Sequence, residues 1–141
     1  MAATGARMSA PETQPWVHQD LPENGSLEAR VADFHLGRLL TMDQEHYENK
    51  VWPLCFYISR KDLAKWQMNA ARALGNMGDT GYVPMLGTAL AGNPHETVRG
   101  MAAWALGRLG GARARTILES RLAGEAEPVK REIEAALEMM R

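Results

Sequence analysis

Eight basic residues fall between positions 61 and 121, namely Lys61, Lys65, Arg72, Arg99, Arg108, Arg113, Arg115 and Arg121, against four acidic ones, Asp62, Asp79, Glu96 and Glu119. Cations gathered on one surface bind phosphate, because each neutralised phosphate releases counterions and the gain accumulates over contacts. Lys61, Lys65, Arg72, Arg108, Arg113 and Arg115 are the candidate contacts. The same residues also suit an ordinary solvated face whose cations complete helix C-termini, as Arg108 near Gly110 would. Arg99 is expected to pair with an acid in the preceding turn and tie neighbouring units together. Asn69 is a poor helix former in mid-helix and is expected to bond a neighbouring loop. Asn76, following Gly75, reads as a helix C-cap.

Other chemistry is thinly represented. His18, His35, His46 and His95 are dispersed, with no pair four apart and no nearby cysteine, so no metal site is expected. Cys55 stands alone, which excludes an internal disulfide or a multi-cysteine cluster within this sequence, and its apolar neighbours mark it as a buried small hydrophobe. Trp66, Trp104, Tyr82, Phe56 and Tyr57 offer faces for base stacking, but at helical spacing among alanines and leucines they read as core. There is no Ser-His-Asp arrangement, phosphate loop or dinucleotide fingerprint, and no catalysis is expected from this chain alone. The net charge of −1 gives no general attraction to nucleic acid or membrane, and residues 1–60 carry five basic against eight acidic side chains. No run reaches the roughly 18 apolar residues that span a bilayer, and no signal pattern opens the sequence, so a cytoplasmic protein is expected.

The elements that must position these residues follow from a repeat. Ala70-Ala71-Arg72-Ala73-Leu74-Gly75 returns as Ala102-Ala103-Trp104-Ala105-Leu106-Gly107, about 32 residues later, and more faintly over Ile133 to Leu137. Such a period marks stacked helical units, each too small to bury its apolar face alone. The expected fold is therefore an all-α solenoid of about seven helices. Residues 1–25 read as a flexible leader or linker, 26–60 as lead-in helices and 61–141 as repeats, with 26–141 forming one domain. Ser26 is expected to cap a helix running through Leu40, and Thr41 or Asp43 to start a short second helix. A third helix ends at Gly75-Asn76, Asp79 caps a fourth that Pro84 bends, and Asn93 caps a fifth that closes on Gly110-Gly111. Two more helices follow, over about 112–123 and from Pro128 onward. The expected core comprises Trp66, Val83, Leu86, Leu90, Val98, Ala102, Ala105, Leu106, Ile117, Leu118, Leu122, Ile133 and Leu137.

The repeats resemble HEAT repeats, with a proline in the first helix of a pair and a second helix opening on Val98-Arg99 and closing on Ala105-Leu106-Gly107. The segments Leu54 to Ile58, Trp66 to Asn76, Tyr82-Val83-Pro84 and Val98 to Gly110 are similar, more specifically, to the C-terminal HEAT-like region of the epoxyqueuosine reductase family, also labelled iron–sulfur cluster-binding proteins. That family performs the last step of queuosine formation on a tRNA anticodon with cobalamin and two 4Fe-4S clusters. The cobalamin domain and the cluster cysteines have no counterpart in this sequence, so no cofactor is expected on this chain. What the resemblance implies is an accessory role in tRNA contact, with Asn69 a further candidate to reach RNA, and a protein carrying the catalytic domains as a second partner. Neither DNA nor membrane is an expected partner. The alternative is a HEAT-repeat scaffold for protein interactions.

Overall fold

The helices begin and end where backbone groups find partners. In the computed structural model, which describes residues 31–54, 59 and 61–141, seven α-helices follow His35: α1 (Leu36–Thr41), α2 (Gln44–His46), α3 (Leu63–Met77), α4 (Val83–Gly92), α5 (Glu96–Leu109), α6 (Ala112–Arg121) and α7 (Glu127–Met139). No strand occurs among the described residues. A π-helical turn, Tyr47–Val51, and a 3-10 turn, Trp52–Leu54, precede α3. The expected leader, the Ser26 cap, Cys55, Phe56 and Tyr57 lie outside the described residues. His35–Arg141 forms one compact unit, and Val31–Phe34 belongs to the unit before it.

Two layers build the solenoid. α3, α5 and α7 stack side by side, α4 and α6 stack beside them, and α1 packs on α3. The core between the layers consists of Leu74, Leu86, Leu90, Val98, Leu106, Leu118, Val129 and Ile133, all essentially inaccessible to water. Of the expected core, Trp66, Ile117, Leu122 and Leu137 are only half-buried, because each sits at a helix edge rather than between layers.

Close approach within the first layer depends on small residues at one recurring crossing. A Cβ on Gly75 would lie 2.9 Å from the Ala105 Cα, and one on Gly107 would lie 2.7 Å from the Ala136 Cβ. Gly75 was expected to end α3 and does not. The helix continues to Met77 and stops at Gly78, whose φ of 77° is the left-handed cap conformation. Asn76 is correspondingly not a cap but an exposed position inside α3.

Three further boundaries differ from expectation. The helix expected to run through Leu40 is interrupted at His35, where extended backbone lets the ring Nδ1 accept from the Gly37 N–H at 3.3 Å and start α1. Pro84 does not bend α4 but stands in its first turn, where its missing N–H costs nothing. The 3-10 turn Thr80–Tyr82, held by the Asp79 carboxylate accepting from Gly81 N–H at 2.9 Å, leads into it. Asn93 closes α4 rather than opening α5, which starts at Glu96 after His95.

Candidate interaction face

The helical spacing of α3 leaves Lys65, Asn69, Arg72 and Asn76 on one exposed stripe. One repeat later, the equivalent stripe of α5 is Thr97, Met101, Trp104 and Arg108, and α7 presents Pro128, Glu132, Ala135 and Met139. These stripes lie on the open side of the first layer. A groove of about 530 Å³ runs across them, lined by Met68 and Arg72 from α3, Glu96, Thr97, Gly100, Met101 and Trp104 from α5, and Pro128 and Glu132 from α7. Trp104 leans toward α3, its ring edge 2.9 Å from where a Cβ on Gly75 would sit. The Arg108 guanidinium lies over the same ring, 5.7 Å from its centroid, an arrangement in which cation and aromatic face attract.

The candidate cations do not form one stripe. Lys65, Arg72 and Arg108 share the open side of the first layer, with Lys65 standing 4.0 Å from Asp62. Lys61 is exposed ahead of α3. Arg113 and Arg115 belong to α6 in the second layer, because the Gly110-Gly111 turn, with both φ values positive, reverses the chain between Arg108 and Arg113. Arg113 is exposed, while Arg115 donates to the Met140 carbonyl at 3.3 Å and pairs with Glu119 at 3.7 Å. Arg99 and Arg121 are consumed inside the fold. Arg99 Nε and Arg121 Nη2 each stand 3.1 Å from a Glu125 oxygen, and the Glu125 side chain is only 2% exposed.

Arg99 therefore binds an acid in the connection between α6 and α7, not in the preceding turn, and its Nη1 donates to the Asn93 carbonyl at 2.8 Å. Burial pushes the Glu125 carboxyl up, but hydrogen bonds from Arg121 and Arg99, the charge of Arg99 and the Ala126 N–H outweigh it and hold the group below its ordinary value. Asn69 is exposed and bonds no loop among the described residues. That task falls to Gln67, two residues earlier and 3% exposed. Its amide donates to the Leu40 and Met42 carbonyls at 3.1 and 2.8 Å and accepts from Asn93 Nδ2 at 2.9 Å.

Residues 56–138 match the family model for HEAT repeats. The chain belongs to the HEAT-repeat family. Within that family, it is 30% identical over 123 residues to the epoxyqueuosine reductase of Bacillus subtilis, an alignment covering 77% of this chain but 32% of the reductase. It is 31% identical over 134 residues to an uncharacterized protein encoded in the gldA 3' region of Geobacillus stearothermophilus, covering 85% of this chain and 60% of that one. Solved structures agree. The selenomethionine-labelled epoxyqueuosine reductase superposes with a TM-score of 0.62 at 28% identity, over 75% of this chain and 28% of that chain. The reductase with an epoxyqueuosine-modified tRNA-Tyr stem loop gives 0.61 at 28% identity, over 74% and 28%. This HEAT-repeat chain is homologous to part of the reductase and spans about a third of its length.

The sequence carries one cysteine, and among the described residues no group of three or more His, Cys, Asp or Glu side chains is placed to hold a metal. No helix among the described residues is long and apolar enough to cross a membrane.

Proposed function

We propose that this chain is a non-catalytic HEAT-repeat module that works by binding a protein partner across the open face of α3, α5 and α7. The observation that carries this reading is the charge of the groove. Glu96 and Glu132 line it together with Arg72, over an apolar floor of Met68, Met101 and Trp104. Two carboxylates repel a phosphate backbone, whereas mixed charge around an aromatic and methionine centre is the composition of protein interfaces. Such a module acts in the cytoplasm beside the catalytic domains of an enzyme.

A second reading is the accessory role in tRNA contact. The homology to epoxyqueuosine reductase supports it, as do the three cations Lys65, Arg72 and Arg108 on one face. Titration of the chain with a tRNA anticodon stem loop, from low to physiological salt, separates the two. The protein-binding reading expects no saturable RNA complex at physiological salt. The RNA reading expects one whose log affinity falls against log salt with a slope of about −2 to −3 for three phosphate contacts, and which Arg72→Glu and Arg108→Glu weaken for every RNA alike.

A further inference from the structure

Several charged side chains among the described residues are paired. Arg99 and Arg121 hold Glu125, Arg115 meets Glu119, Arg131 meets Glu127, and Arg141 meets Glu138. Arg72, Glu96 and Glu132 line one groove and, among the described residues, form no ion pair with one another or with any neighbour. Their positions follow an order. Arg72 stands on α3 at one border of the groove, Arg108 lies beyond Trp104, and Glu132 stands on α7 at the opposite border, packed alongside Gly100. Glu96 lies at the start of α5, where it also favours the helix N-terminus. Between the two signs the floor is apolar.

Resting on the protein-binding reading above, we propose that this groove recognises a bipolar peptide segment. Its occupant carries acidic residues that meet Arg72 and Arg108, an apolar side chain that enters between Met68, Met101 and Trp104, and basic residues that meet Glu132 and Glu96. Opposed charges at the two borders make the site a discriminator. A segment with one sign throughout gains an attraction at one border and suffers a repulsion at the other, while a bipolar one gains both. Trp104 supplies the anchor contact, held in place by the Arg108 cation above its ring and by Gly75 behind it.

The test uses the full chain and three fluorescein-labelled peptides of about ten residues with the same apolar centre: one with lysines at one end and glutamates at the other, one with lysines at both ends, and one with glutamates at both. The bipolar peptide is expected to bind about tenfold more tightly than either uniform one. Arg72→Glu should make the all-lysine peptide the preferred ligand, and Glu132→Arg should make the all-glutamate peptide preferred. Both positions are exposed, and circular dichroism checks that the fold survives. If Trp104→Ala weakens all three peptides but neither charge reversal changes their order, the bipolar proposal is overturned and the protein-binding reading stands. If no peptide binds, or if a tRNA stem loop displaces the peptide at physiological salt, both are overturned.

Discussion

Protonating Glu125 would leave two arginines facing a neutral acid inside the fold. Because its pKa in the folded protein lies below the ordinary 4.5, the carboxylate contributes stability that is fully present above about pH 4.5 and is lost as pH falls through the depressed value. Glu125→Gln should therefore cost about 3 kcal/mol at neutral pH, and urea titrations should show the gap to wild type closing as the medium is acidified below pH 4.5. A gap that stayed constant down to strong acid would mean that Glu125 acts by shape and not by charge. Gln67 gives a neutral counterpart. Gln67→Leu strands the Leu40 and Met42 carbonyls and should cost about 2 kcal/mol or more, whereas Asn69→Ala should change stability by less than about 0.5 kcal/mol. Only the Arg99 bond was half legible. Gln67 and Arg99 occupy equivalent positions of the 32-residue repeat, as do Asn93 and Glu125, so Gln67 to Asn93 and Arg99 to Glu125 are one interaction in two chemistries. Arg99 stood out because the second residue of an inner repeat helix often pairs with an acid. Gln67 did not, although its spacing of three, four and seven residues from Ala70, Ala71 and Leu74 places it on the buried face of α3.

At the scale of the helix, the repeated phrase encodes a crossing and not a stop. Gly107→Ala would gain about 1 kcal/mol of helix propensity, but its Cβ would press on Ala136 at 2.7 Å, so α5 and α7 must part and the net effect should be a loss of about 1–2 kcal/mol. Gly100→Ala is the control. Its Cβ would meet only the Glu132 side chain at an ordinary 3.5 Å, and thermal unfolding should show a gain of up to about 1 kcal/mol. Leu106→Ala, at a site with no exposure, should cost roughly 2–5 kcal/mol by opening a cavity between the layers. Existence and order of the repeat helices were legible from the period, because apolar spacing is set by the core that the helices share. Their ends were less so. Gly75 and Gly78 are both plausible stops for α3, and what decides between them is Ala105 on the next helix, information that lies 30 residues away.

At the scale of the whole molecule, the layer order decides which cations act together. Lys65, Arg72 and Arg108 share a face because α3 and α5 are neighbours in one layer, while Arg113 and Arg115, close to Arg108 in sequence, pass to the other layer through the Gly110-Gly111 turn. Charge counted along the chain could not show that division, nor that Glu132 from α7 joins Arg72 in one groove. The most direct test of the face is a methyl spectrum of the methionine-labelled protein, recorded with the bipolar peptide and separately with a tRNA stem loop at physiological salt. Met68 and Met101 line the groove, whereas Met85 lies against Gly37 at the other side of the fold. The account predicts that the peptide shifts the Met68 and Met101 signals and leaves Met85 in place, and that the RNA shifts none of them. Peptide-induced shifts at Met85 with Met68 and Met101 unmoved, or RNA-induced shifts at Met68 and Met101, would contradict it.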